Sequence, residues 1–171
     1  MTRRSIFTFS AIAILGLVAL LPIGAAAQQK SLKEQLVGTW TLVSYDGTGA
    51  DGARRQLSGS NVKGILCFDA GGRYATVFER VGRAKFKTAS QPTTGELAAA
   101  TGDFFAANFG TWSVNEADKV LAQRFDGALR PNNEGADAGT LVCLVTDELK
   151  LTTVNPLPTG AKIEQVYRRA K

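Results

Sequence analysis

The chain has 171 residues, two cysteines, no histidine and a formal net charge of +5. Without histidine there can be no Ser-His-Asp or Cys-His nucleophile, the commonest general base near neutral pH is missing, and so is the usual zinc, copper or haem ligand. Any catalysis would have to run on Asp, Glu, Lys, Tyr or Cys tuned by burial, and the mild positive charge, with no aromatic and basic stripe beside it, argues against nucleic-acid binding.

The first 27 residues read as an export signal: "TRRS" supplies a positive start, and "IFTFSAIAILGLVALLPIGAAA" an apolar run closed by Ala25, Ala26 and Ala27. The alternative is a retained membrane anchor, since Ile6 to Ile23 is close to the ~18 residues that span a bilayer. Small residues at the exit favour cleavage, so no stable membrane insertion is expected afterwards. Thr2 to Phe7 also resembles a twin-arginine signal, an alternative to ordinary secretion, and no cysteine near the cut indicates a lipid anchor. The expected division is a signal peptide at 1–27, a linker at 28–35 and one domain at 36–171, periplasmic or secreted. Loss of Arg3 and Arg4 takes Lys and Arg from 20 to 18 against 15 Asp and Glu, so the mature charge is +3.

Eight strand-like runs follow: Gly38 to Asp46, Val62 to Asp69, Gly72 to Arg80, Phe109 to Asn115, Lys119 to Gly127, Gly139 to Thr146, Glu148 to Val154 and Lys162 to Arg169. The segments "FDAGGRY", "VNEADKV" and "VTDELKL" are tight hairpin connections. The expected fold is all-β, an eight-stranded antiparallel up-and-down barrel that leaves no free edge. Gly-Thr-Trp stands at 38–40 and again at 110–112, which suits two strands with a large aromatic wedge at the barrel base.

One short helix is expected between the third and fourth strands. Thr93 and Glu96 make a capping box, and Leu97, Ala100 and Phe104 follow at helical spacing to about Asn108. Gly102 weakens it by ~1 kcal/mol relative to Ala, so the helix serves either as a pad over apolar surface or as a lid over the mouth. The basic residues before it, Arg80, Arg83, Lys85 and Lys87, read as a solvated loop.

Strand parity assigns inward faces. Trp40, Leu42 and Ser44 share one face of the first strand; Gly64, Leu66 and Phe68 face in on the second, and Tyr74, Thr76 and Phe78 on the third. Trp112 and Val114 belong inside, as do Leu149, Leu151 and Thr153, and in the last strand Ile163, Gln165, Tyr167 and Arg169. The fifth and sixth strands alternate too weakly to assign. Cys67 and Cys143 fall four steps apart in an eight-membered ring, beyond the roughly 7 Å that a disulfide spans between α carbons. They are expected as unpaired, mostly buried thiols, unable to share a metal.

With these residues in view the chain resembles the lipocalins. Gly38-Thr39-Trp40 is similar to their Gly-x-Trp signature, whose Trp closes the narrow end of the barrel beneath an Arg near the chain end, here Arg169 or else Arg168. More specifically, "LVGTWTLVSYD", "GILCFDAGGRYATVF", "TGELAAATGDFFAANFGTWSVNE", "LKLTTVNP" and "EQVYRR" resemble the bacterial lipocalin-like domain in order and spacing, from about Leu36 to Arg169. The stretch "LAQRFDGALRPNNEGADAGT" departs from that pattern, lacking its His and Trp positions. The resemblance implies a structural base of Gly38, Trp40 and Arg169.

An eight-stranded barrel is near the size at which the interior is either filled by side chains or holds one small ligand. Inward Gly64 and the mixture of aromatics with Ser44, Thr76 and Gln165 suit a pocket; equally, Tyr74, Phe78, Phe68 and Trp112 can simply be core. The expected ligand-binding residues are Ser44, Leu66, Phe68, Tyr74, Thr76, Phe78, Trp112 and Leu151. Three functions are open: a carrier of a small apolar or amphipathic molecule, a structural or partner-binding domain with a filled barrel, and an isomerase or cyclase using Tyr74 or an inward carboxylate. Nothing in the pattern requires a cofactor or a metal, and none of it specifies an oligomeric state.

Overall fold

The structure is a computed structural model that describes residues 30–59, 61–154 and 160–171; the expected signal peptide lies outside the described residues. Among the described residues nine strands form one antiparallel sheet: β1 (Gly38–Thr48), β2 (Arg54–Gly59), β3 (Val62–Phe68), β4 (Arg73–Arg80), β5 (Phe104–Asn115), β6 (Val120–Ala128), β7 (Asp137–Val145), β8 (Glu148–Thr153) and β9 (Lys162–Arg169). β1 pairs with β3 through Gly38 to Thr41 and with β9 from Trp40 to Thr48, which closes a ring of eight. Strand β2, which the sequence pattern does not reveal, pairs with the far end of β1 and continues beside it the place that β3 holds at the near end.

The hairpin turns at 69–72, 116–119 and 146–147 gather at one end of the barrel. Their conformations are written locally. Asp69 Oδ1 accepts the N–H of Arg73 at 2.7 Å, Asn115 Oδ1 that of Ala117 at 2.9 Å, and Asp118 Oδ1 that of Val120 at 3.1 Å. The longer connections gather at the opposite, open end.

The turn-bearing end is closed from below by a helix in the stretch expected as a linker. Helix α1 (Leu32–Leu36) starts on a Ser31/Glu34 capping box, and its first N–H groups, of Leu32 and Lys33, donate to the Glu116 carboxylate at 3.0 and 2.9 Å. It forms because Leu32 and Leu36, one turn apart, both bury against the barrel floor. Fully buried Trp40 donates its indole N–H to the Leu36 carbonyl at 2.8 Å. The Arg169 guanidinium lies 4.1 Å from the centre of the Trp40 ring and donates to the carbonyls of Val37 at 3.2 Å and Gln35 at 2.5 Å. Those are C-terminal carbonyls of α1 with no partner inside the helix. Gly38 has φ +129°, and a Cβ there would lie 3.2 Å from Arg169 Nη1, so the position suits glycine on both counts. The expected base of Gly38, Trp40 and Arg169 is therefore one packed unit, whereas Arg168 is exposed.

The second Gly-Thr-Trp works alike: the Trp112 indole N–H donates to the Asp69 carbonyl at 3.1 Å, bracing the 69–72 turn, and its ring packs on Phe68 at 4.7 Å.

Helix α2 (Thr94–Gly102) sits between β4 and β5, the third and fourth strands of the ring, with both halves of its Thr93/Glu96 capping box formed. It ends well before Asn108, because residues from Phe104 onward alternate faces in β5 and gain a full ladder to β4. None of its residues is buried and Leu97 is exposed, so it is no apolar pad. Polar contacts hold it instead: Arg83 donates to the Ala100 carbonyl at 2.9 Å, the Lys87 N–H to Glu96 at 3.0 Å, and Arg80 pairs with Asp103 at 3.2 Å.

Both cysteines are free, as expected, but neither is buried: each points outward, Cys67 half-buried and Cys143 exposed. Their alternation partners Leu66, Phe68 and Val142 take the interior, which leaves the thiols on the outer face.

Arg169→Lys keeps the charge but loses the planar fork that reaches two carbonyls and stacks on Trp40. It should lower stability by about 1.5–3 kcal/mol, read from urea unfolding; a loss of only a few tenths would show that the base is held some other way.

Candidate functional site

The interior is divided in height. Toward the closed end Leu36, Trp40, Phe68, Tyr74, Trp112, Leu121 and Leu149 pack into a continuous floor. Above it lies a cavity of about 150 Å³ whose wall takes residues from β3 through β9. Its apolar side is Leu66, Phe78, Ala106, Phe125, Ala138 and Leu151; its polar side is Thr76, Asn108, Gln123, Thr140, Thr153, Gln165 and Tyr167. No charged residue is among them. A larger hollow of about 320 Å³ beside the 69–72 turn is shallow and solvent-open, formed partly by the outward residues Thr39, Cys67 and Ala75, so it has none of the enclosure of the interior cavity.

Of the residues expected to bind ligand, Leu66, Thr76, Phe78 and Leu151 stand on the cavity wall, whereas Phe68, Tyr74 and Trp112 belong to the floor. Ser44 lies elsewhere. A β-bulge between Leu42 and Ser44 makes Val43 the extra residue, so Ser44 pairs with outward Val166 and Tyr45 pairs with inward Gln165. Tyr45 then packs on Phe78 at 5.1 Å, toward the open end. Gly64 faces inward yet leaves no room: a Cβ there would come within 2.3 Å of Phe78 Cβ and 2.4 Å of the Val77 carbonyl oxygen, so the opposite strand fills the space.

Asn108, Gln123 and Thr140 are wall residues that parity alone does not find. Asn108 falls where the helical spacing was expected to persist, and Gln123 and Thr140 lie on the two strands of weak alternation. Their signal is register, since Gln123 follows buried Leu121 by two residues and Thr140 precedes buried Val142 by two.

Hydrogen bonds orient the polar wall. Tyr74 donates to Asn108 Oδ1 and Tyr167 to Gln165 Oε1, both at 2.9 Å, so each amide N–H₂ is left for the cavity. Thr76 donates to the Ile65 carbonyl at 3.1 Å, and Thr153 Oγ1 accepts the Ile163 N–H at 3.0 Å. The Thr140 hydroxyl is buried without a partner among the described residues. Burial raises the pKa of Tyr74 and Tyr167 well above the ordinary 10.0, helped at Tyr74 by Asp126 and opposed at Tyr167 by the neighbouring Thr76 hydroxyl. Tyr45 is also raised by burial, with Arg130 pulling the other way. All three tyrosines of the chain are thus hydrogen-bond donors at neutral pH. Among the described residues no three His, Cys, Asp or Glu gather to hold a metal ion, and no helix is long and apolar enough to cross a membrane.

A sequence profile described as the lipocalin-like domain matches residues 37–170. Among solved structures, a lipocalin-like protein from Bacteroides uniformis aligns over 79% of this chain and 98% of its own, with 15% identity and a TM-score of 0.41. An uncharacterized protein from Bacteroides eggerthii aligns over 79% and 99%, with 12% identity and a TM-score of 0.40. A redesigned β-barrel, mFAP1, bound to DFHBI aligns over 82% and 100%, with 14% identity and a TM-score of 0.40. No curated protein matches.

A phenol whose pKa is higher folded than unfolded stabilises the fold below pH 10 and loses that contribution as pH rises through the folded value. Stability should therefore fall above pH 10, with tyrosinate absorbance appearing together with unfolding; ordinary tyrosine titration in a barrel that stays folded would contradict this. Gly64→Ala should cost about 1–3 kcal/mol in urea unfolding through overpacking against Phe78, and a neutral result would mean that the strands part easily there.

Proposed function

Because the chain belongs to the lipocalin-like domain family, we propose that it is an exported carrier or scavenger holding one small molecule inside its barrel. The observation that carries this is the cavity of about 150 Å³, closed below by the packed floor and walled by apolar and neutral polar side chains in convergent positions. Export is supported by the leader at residues 1–27, with its positive start, apolar run and small-residue exit. Acid–base catalysis finds less support: no carboxylate lines the cavity among the described residues, and Tyr74 and Tyr167 are held protonated.

One observation favours protein docking as a second function. Ile65 and Val77, 47% and 42% exposed, are directly paired on the outer face of β3 and β4; beside them Ala75 pairs with Phe109, 52% exposed.

Protein purified gently from the periplasmic fraction should begin at Gln28 and carry a non-covalent small-molecule mass in native mass spectrometry that disappears on denaturation. A bare barrel would count against the carrier function, a bound polypeptide would favour docking, and a chain beginning at Met1 would count against cleavage.

A further inference from the structure

We infer that the occupant of the cavity is a compact, uncharged molecule bearing a carbonyl, such as a lactam or amide ring, and neither a hydrocarbon nor an ion. This rests on the carrier function proposed above and narrows its ligand class. Size sets the first limit: a void of ~150 Å³ takes one benzene-sized ring, below the ~300 Å³ at which drug-sized pockets begin. Charge sets the second. With no Lys, Arg, Asp or Glu on the wall among the described residues, a carboxylate or ammonium would be buried without a counter-ion, and that penalty exceeds what neutral dipoles return.

The third limit comes from hydrogen bonding. Tyr74 and Tyr167 each take one lone pair of the carbonyl oxygens of Asn108 and Gln165, while both amide N–H₂ groups have no partner among the described residues and are the larger unmet demand. Among the described residues Gln123 makes no side-chain hydrogen bond and offers both N–H₂ and carbonyl, and the Thr140 hydroxyl is buried without a partner. A hydrocarbon would leave this set unsatisfied, at a cost that a native interior rarely carries. Donors outnumber acceptors, which suits a carbonyl oxygen on the ligand, while the Gln123 carbonyl and Thr140 oxygen can accept one N–H in return. The facing Leu66, Phe78 and Leu151 suit the ring itself.

The test uses probes of similar size and different chemistry, titrated into the folded mature protein by calorimetry or ligand-observed NMR: toluene, 2-pyridone, N-methylpyridinium and benzoate. We expect 2-pyridone to bind tightest, and Thr140→Val and Gln123→Leu each to weaken it by about three- to tenfold, the worth of a neutral hydrogen bond, while toluene, relieved of covering an unpaired polar group, binds more tightly than to the unsubstituted protein. Two near-isosteric variants guard against one failing to fold, and thermal unfolding without ligand checks each. Toluene binding as tightly as 2-pyridone would overturn the carbonyl requirement and leave the carrier function standing. Tightest binding of N-methylpyridinium or benzoate would overturn the exclusion of charge. If no probe enters, the cavity is not a binding site and both proposals fall.

Discussion

The barrel depends on how its closed end satisfies a helix that is too short to satisfy itself. Helix α1 has five residues, so few of its carbonyls find an N–H donor within the helix. Arg169 donates to two carbonyls at this end, of Gln35 and Val37, and the Trp40 indole donates to the Leu36 carbonyl. Because Arg169 lies on the last strand and Trp40 on the first, the contacts that cap the helix also lie across the seam where β1 meets β9. The Glu116 carboxylate, accepting two N–H groups at the other end of α1, ties it to the β5–β6 turn and is held below the usual carboxylate range by those bonds. One short helix thus draws together the beginning, middle and end of the chain.

The cavity follows from that closure. Large residues are spent at the base, where two tryptophans, a phenylalanine and several leucines fill the ring. Higher up the wall carries Ala106, Ala138, Thr140 and Thr153, whose small side chains cannot meet across a ring of eight strands. The interior is therefore both of the things that an eight-stranded barrel can be, solid below and hollow above. The tyrosines join the two levels: Tyr74 in the floor and Tyr167 on the wall, each holding one wall amide in orientation.

Much of this was legible in the residues. The strand bounds match within two residues except at the start of β5, the helix cap at Thr93 forms as its capping box implies, and parity places Leu66, Thr76, Phe78 and Leu151 correctly on the inner face. Ser44 departs from the parity of its strand because one bulge reverses every side chain beyond it, and nothing in "LVSYD" marks where the extra residue falls. Phe104 to Asn108 has a helical pattern and a strand structure because Leu97, Ala100 and Phe104 keep helical spacing across the point at which pairing with β4 becomes the stronger alternative. Gly64 suggested space only because its cross-strand neighbour was out of sight.

What the sequence by itself determined was the periodic part: alternation of period two along most strands, turn chemistry between strands, and a Trp near the base end of two of them, all of which act over a few residues and need no distant partner. What only the tertiary structure decided was which of those faces enclose a space and which simply pack. That depends on the bulge in β1, on the register of β6 against β5 and β7, and on a helix folded under the floor. Each is an interaction between segments far apart in the chain, whose energy exists only once the ring has closed.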